Sequence, residues 1–106
     1  MSRLSPAARA ALAPLLLAAS CGAMAQDVNL ARNLAATCAN CHGTQGAARG
    51  EMKPLAGLPA DRIVAMMNEF KSGALPATIM HQISKGYTDE QIRLMAGYFA
   101  AQPARK

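Results

Sequence analysis

The chain is 106 residues long, 52% of them hydrophobic and only 4% aromatic, with a net charge of +5 from 11 basic and 6 acidic residues. This length allows one modest domain. The basic excess is mild and no basic run is interleaved with aromatic side chains, which argues against nucleic-acid binding.

Residues 1–25 are expected to be a cleaved secretory signal peptide. Arg3 and Arg9 form a basic start, residues 10–19 are apolar, and residues 23–25 match a small-x-small cleavage site. The uncharged run, residues 10–26, is short for a membrane-spanning helix, so we expect no stable membrane insertion. An uncleaved anchor helix and lipidation at Cys21 are the alternatives.

Residues 26–106 are expected to form a single mature domain that is exported to the periplasm. Without Arg3 and Arg9, the basic and acidic side chains of this domain leave a mild positive charge. A domain of this size buries little apolar surface on its own, so we expect it to need a further stabilising group. The remaining positive charge favours encounter with an acidic face of a partner protein.

A short motif carries the chemistry of the expected domain. Cys38, Cys41 and His42 form the pattern C-x-x-C-H, which is the attachment signal for a c-type haem. Two thiols at this spacing can add to the two vinyl groups on one side of a porphyrin, and the following histidine can be the proximal iron ligand. Because the pattern occurs once, we expect one covalent haem.

Three other interpretations of the motif are weaker. A structural zinc site needs a second pair of ligands, and the only other histidine is His81. A thioredoxin-like dithiol belongs in a βαβ setting, and no strand pattern is present. A plain disulfide between Cys38 and Cys41 is the third alternative.

Apolar spacing and capping residues predict four helices and no strand. In the second helix, apolar side chains from Ile63 to Phe70 hold the i, i+3, i+4 and i+7 positions. A capping box begins at Thr88, just before the last helix. The stretch between residues 42 and 60 is rich in glycine and proline, which predicts a loop. The predicted helices span residues 27–37, 61–71, 78–85 and 89–102.

The second axial position of the iron needs another ligand from the chain. Met80 lies far enough along the chain from His42 for the segment between them to wrap the haem and approach its opposite face. A thioether there favours ferrous iron and raises the reduction potential. Met52, which has few residues in which to travel round the macrocycle, and His81 stay open as alternatives. The remaining methionines of the predicted helices are expected to fill the core: Met66, Met67 and Met95.

This order of elements resembles the class I c-type cytochromes, which have one helix, C-x-x-C-H, a loop, a distal methionine and a C-terminal helix. The resemblance covers residues 29–102. It implies an all-α fold of about four short helices wrapped around one covalently bound haem. Pro54 follows Cys41 at the spacing of a proline in this family. The resemblance implies that Pro54 turns its carbonyl toward Nδ1 of His42 and orients that ring.

In this family the first and last helices cross through a small residue and an aromatic side chain. Ala31 stands where glycine is usual, with Tyr98 or Phe99 opposite. Gly97 is unfavourable inside a helix by about 1 kcal/mol relative to alanine. We expect it to allow a close helix crossing.

Four runs in the second half narrow the resemblance to the cytochrome subunit of flavocytochrome c sulfide dehydrogenase. The runs are residues 70–73, 77–80, 85–88 and 95–99. In that family the methionine that matches Met80 is the iron ligand. The resemblance implies that an FAD-containing subunit oxidises sulfide while the haem subunit takes the electrons away, so the chain is not an enzyme on its own.

Two other functions remain open at this point. One is a free, diffusible electron carrier between a reductase and a terminal oxidase. The other is a haem enzyme or gas sensor, which needs an open distal site. Basic side chains are candidates for the rim around the exposed haem edge or for contacts with the haem propionates: Arg49, Lys53, Lys71 and Lys85.

Overall fold

The computed structural model describes Asp27 and residues 29–104, so the expected signal peptide lies outside the described residues. Within this part of the chain the secondary structure is helical and contains no strand, which confirms the all-α prediction. The α-helices are α1 (Leu30–Ala36), α2 (Ala39–His42), α3 (Ala60–Ser72), α4 (Met80–Ile83) and α5 (Asp89–Ala100). Two 3₁₀ turns lie at Thr44–Gly46 and Ser84–Gly86.

Helix α1 begins later than the apolar pattern predicts, at Leu30 rather than at Asp27. The Asp27 carboxylate accepts a hydrogen bond from the backbone N–H of Asn29 at 2.8 Å, and the Leu30 N–H donates to the Asp27 carbonyl at 3.0 Å. Asp27 therefore forms a turn ahead of the helix, because its side chain competes for backbone donors. Asn29 is the N-cap by position but makes no capping hydrogen bond with its side chain.

The capping box before α5 is confirmed. The Thr88 hydroxyl accepts from the Gln91 backbone N–H at 3.1 Å, and the Gln91 side chain accepts from the Thr88 N–H at 2.9 Å. These two bonds satisfy donors that the first turn of a helix leaves unpaired. Asp89 and Glu90 in the first turn also suit the positive end of the helix dipole.

The core forms where α5 packs against α1 and α3. Ala35 and Ala96 are 2% and 0% exposed, so small side chains allow close approach of the helices. Ile63 of α3 closes the core from the other side. The remaining buried members come from α5: Ile92, Met95 and Phe99.

The expected contact at Gly97 is wrong. Gly97 is exposed, and a Cβ atom built on it would have no heavy atom from outside its own helix within 4 Å. Ala31, the residue expected at the crossing, is only half-buried, whereas Ala35 one turn later is buried. The small residues that are buried in the two helices are therefore Ala35 of α1 and Ala96 of α5.

The loop between α2 and α3 is fixed against α5 by backbone contacts. The Gly46 carbonyl accepts from the N–H groups of Leu55 and Ala56 at 2.9 and 3.2 Å. The Gly57 N–H donates to the Phe99 carbonyl at 2.9 Å. Gly46 has a φ of +74°, and a Cβ there would lie 2.8 Å from Phe99 Cδ1, so both conformation and space call for glycine.

Among the described residues, every helix is too short or too polar to cross a bilayer.

Candidate haem-binding site

The C-x-x-C-H motif lies on a short helical turn. The His42 N–H donates to the Cys38 carbonyl at 2.9 Å, so residues 38–42 complete one turn of α2 and its cap. Side chains at i and i+3 on a helix face the same side, which brings Cys38 and Cys41 to one side of the turn. Both thiols are free. Gly43, with a φ of +81°, ends the turn directly after His42.

The two thiols differ in their surroundings. Cys38 is half-buried and packs against the core, whereas Cys41 is exposed. Burial raises the pKa of the Cys38 thiol. The Cys38 thiol thus packs against the protein core, while the Cys41 thiol is exposed to solvent.

The His42 ring is oriented by a backbone carbonyl, but by a different one from the expected Pro54 carbonyl. Nδ1 of His42 lies 2.9 Å from the Lys53 oxygen. A carbonyl can only accept, so Nδ1 donates, and in the neutral ring the lone pair is then on Nε2. The acceptor is thus one residue earlier in the chain than the expected one.

Met52 precedes Lys53, whose carbonyl lies beside Nδ1 of His42. The Met52 side chain is 44% exposed. Met52 stays an alternative to Met80 by its position in the chain.

Met80 is the first residue of α4 and is half-buried. The helix is shorter than predicted and continues as a 3₁₀ turn to Gly86. Met95 is buried and Met67 packs against the core, as expected for core-filling residues, and Met66 is half-buried. Of the methionines in the predicted set, Met80 is thus the one at the start of a short helix that follows a loop.

His81 is also half-buried, and its Nδ1 atom is buried without a hydrogen-bond partner among the described residues. The Ser84 hydroxyl, fully buried in the next turn, donates to the His81 carbonyl at 3.4 Å. Nδ1 is covered by atoms of the chain itself. His81 therefore remains an alternative to Met80 by its position in the chain alone.

Sequence reasoning missed a set of bonds that meets at Tyr87. The Tyr87 hydroxyl lies 2.7 Å from Oγ1 of Thr37, the residue before Cys38. The Tyr87 carbonyl accepts from Nζ of Lys71 at 2.6 Å, and the same Nζ lies 3.6 Å from Oδ1 of Asp89. Lys71 is thus tied into the fold, whereas the other rim candidates are exposed: Arg49, Lys53 and Lys85.

These features fit a covalently attached haem. The site has two free thiols on one turn and an imidazole whose Nε2 is left for a metal. Beside Met80, Ile79 and Ile83 are 56% and 38% exposed. A flat apolar group covering such side chains would bury them, which is favourable at about 25 cal/mol per Å² of apolar surface.

Comparison with known proteins agrees with this site. The cytochrome c-553 of Desulfomicrobium norvegicum is 32% identical over 69 residues, which cover 62% of this chain and 86% of the relative. The cytochrome subunit of sulfide dehydrogenase of Chlorobaculum tepidum is 38% identical over 66 residues, covering 62% of this chain and 60% of the relative. The thiosulfate dehydrogenase electron acceptor of Stutzerimonas stutzeri is 35% identical over 72 residues, covering 66% and 33%. No protein-family model matches the chain.

The chain belongs to the small c-type cytochromes, since it spans most of the length of a cytochrome c-553. It resembles the cytochrome subunit of sulfide dehydrogenase, although it spans only 60% of that relative. Its cofactor is covalently bound haem c, and its role is electron transfer.

Proposed function

We propose that the chain is the electron-accepting haem subunit of a periplasmic, sulfide-oxidising flavocytochrome c. Cys38 and Cys41 attach the haem, and His42 and Met80 are the axial ligands. The haem iron, when bound, supplies one-electron transfer between its ferrous and ferric states. With side chains in both axial positions, the chain denies the iron to oxygen and peroxide.

The observation that carries this proposal is the hydrogen bond from His42 Nδ1 to the Lys53 carbonyl. It fixes the tautomer and the orientation of the ring, as the partners of metal-bound histidines generally do. Removal of the residues preceding position 26 as a signal peptide is part of the proposal, because haem is attached to exported polypeptides outside the cytoplasm.

The proposal of a sulfide-oxidising partner is supported by the relative named as a cytochrome subunit of sulfide dehydrogenase. The test is to co-express the full chain with the FAD-containing subunit of a sulfide dehydrogenase and to follow the haem absorbance under anaerobic conditions. We expect the two proteins to co-elute and the haem to become reduced when sulfide is added. The same chain without the flavoprotein is the control and should stay oxidised over the same time.

A free electron carrier would give a different result. It would elute as a monomer, would stay oxidised with sulfide and flavoprotein, and would be reduced by a quinol-dependent reductase instead. That outcome would reject the subunit assignment and leave the electron-transfer role intact. Rapid binding of CO by the reduced wild-type protein would instead favour a haem enzyme or sensor.

A further inference from the structure

Tyr87 connects the haem-attachment segment with the helical run that begins at Met80. It directly follows this run, which consists of α4 and the 3₁₀ turn to Gly86 and which packs against α3. Its hydroxyl contacts Thr37, the residue before Cys38, and its carbonyl accepts from Lys71 of α3. One residue thus joins three parts of the site.

The direction of the Tyr87–Thr37 hydrogen bond follows from the acceptors around it. Oγ1 of Thr37 donates its single proton to the Leu34 carbonyl at 2.8 Å. A carbonyl oxygen can only accept, so the Tyr87 hydroxyl donates to Oγ1 of Thr37 over 2.7 Å. The phenol is therefore linked through Thr37 to the last turn of α1.

The segment before Met80, at the start of the run, makes few backbone hydrogen bonds. The N–H groups of Ala77, Thr78 and Ile79 donate no hydrogen bond to the described residues, and Pro76 has no N–H to donate. Ile79, next to Met80, is 56% exposed. Segments with few backbone hydrogen bonds and high exposure open at low free energy. The position of Met80, at the start of the run, thus depends on the hydrogen bonds of Tyr87 at the other end of the run.

We propose that Tyr87 is a positioning residue that keeps Met80 on the distal side of the site by fixing the end of its helical run to Thr37. The inference rests on the proposed function, in which Met80 is the axial ligand. Without the hydroxyl, the run can pivot on α3 and the Met-dissociated state gains population. An external ligand then binds more tightly, because it binds the Met-dissociated state and its apparent affinity depends on the fraction of protein in that state.

The test is an optical titration of the ferric holoprotein with imidazole. In Tyr87→Phe and in Thr37→Val we expect imidazole to bind roughly two- to tenfold more tightly, which is the range that loss of one ordinary hydrogen bond gives. Thr37→Ser keeps the hydroxyl and should bind imidazole as the wild type does. Tyr98→Phe is the matched control, since the Tyr98 hydroxyl makes no hydrogen bond with the described residues.

The double variant Tyr87→Phe with Thr37→Val should bind imidazole no more tightly than either single variant, because both remove the same bond. Unchanged imidazole affinity in Tyr87→Phe overturns the inference, even if thermal stability falls. An equal gain in Tyr98→Phe overturns it as well.

Met80→Ala separates this inference from the proposed function. If Met80→Ala binds imidazole as weakly as the wild type and keeps its spectrum, the axial assignment fails and the inference fails with it. If Met80→Ala binds imidazole tightly while Tyr87→Phe does not change, only the positioning role of Tyr87 fails.

Discussion

A single hydrogen bond to the backbone determines the tautomer of the neutral His42 ring. Its Nδ1 donates to the Lys53 carbonyl, so Nε2 is the nitrogen available to iron. Among the candidates for the distal position, Met80 and His81 both lie in α4. These two residues are adjacent, and substitutions can distinguish them.

Replacement of Met80 by alanine is expected to open the distal position. Axial ligands set haem potentials over about 0.8 V, so we expect the potential to fall by on the order of 0.1 V and CO to bind to the reduced protein. Spectroelectrochemistry and CO titration measure the two effects. His81→Ala is the control and should keep the wild-type potential and spectrum. The reverse pattern would assign the distal position to His81.

The motif spacing predicted that Cys38, Cys41 and His42 lie close together, and the structure has them on one helical turn. Their roles in holding the haem stay a prediction. The sequence was not sufficient for the acceptor of the His42 hydrogen bond. The spacing of Pro54 from Cys41 located the correct turn but missed the carbonyl by one residue. The direction of a carbonyl in an irregular loop depends on contacts elsewhere, here the bonds from Leu55 and Ala56 to Gly46.

At the scale of the helices, α3 and α5 were predictable because their apolar periodicity and their capping residues indicate the same helix boundaries. The helix α2 was not predicted, since a single short turn has no periodicity to detect. The apolar pattern also could not show which small residues of α1 and α5 are buried. In the structure these are Ala35 and Ala96, whereas Gly97 is exposed.

Gly97→Ala is therefore expected to stabilise the protein. Alanine has a higher helix propensity than glycine by about 1 kcal/mol, and the new methyl group meets no neighbouring atom. Thermal or denaturant unfolding of the holoprotein measures the gain. A loss of stability would contradict the exposed position of Gly97.

Gly46→Ala is the counterpart and is expected to destabilise the protein by about 1–3 kcal/mol. Its Cβ would lie 2.8 Å from Phe99 Cδ1 and 2.9 Å from the Ala56 nitrogen, at a positive φ. The same unfolding measurement compares the two glycines. Equal stability of Gly46→Ala and wild type would show that the loop relaxes away from α5.

Thr88→Ala removes one half of the capping box and is expected to cost about 1 kcal/mol. The Gln91 N–H, 3.1 Å from the Thr88 hydroxyl, then loses its partner at the start of α5. Thr88→Ser keeps a hydroxyl and should retain most of the stability. Denaturant midpoints of the three holoproteins provide the comparison.

At the scale of the whole molecule, the core is small for the length of the domain. Four of the eight buried hydrophobic residues in the described chain are alanines, and the large ones are Ile63, Ile92, Met95 and Phe99. Such a core buries little apolar surface relative to the conformational entropy that folding removes. Much of the stability must then come from the haem and its covalent links.

The double variant Cys38→Ser with Cys41→Ser cannot attach haem and is expected to be largely unfolded. Circular dichroism should show reduced helix content and no cooperative thermal transition, whereas the holoprotein unfolds cooperatively. A sharp transition in the haem-free variant would show that the polypeptide core suffices by itself.

At position 53 the backbone and the side chain have separate roles. The carbonyl of Lys53 holds the imidazole, and any residue supplies that group, while the lysine side chain is exposed. A substitution can therefore reverse the surface charge here while the orientation of the His42 imidazole stays unchanged.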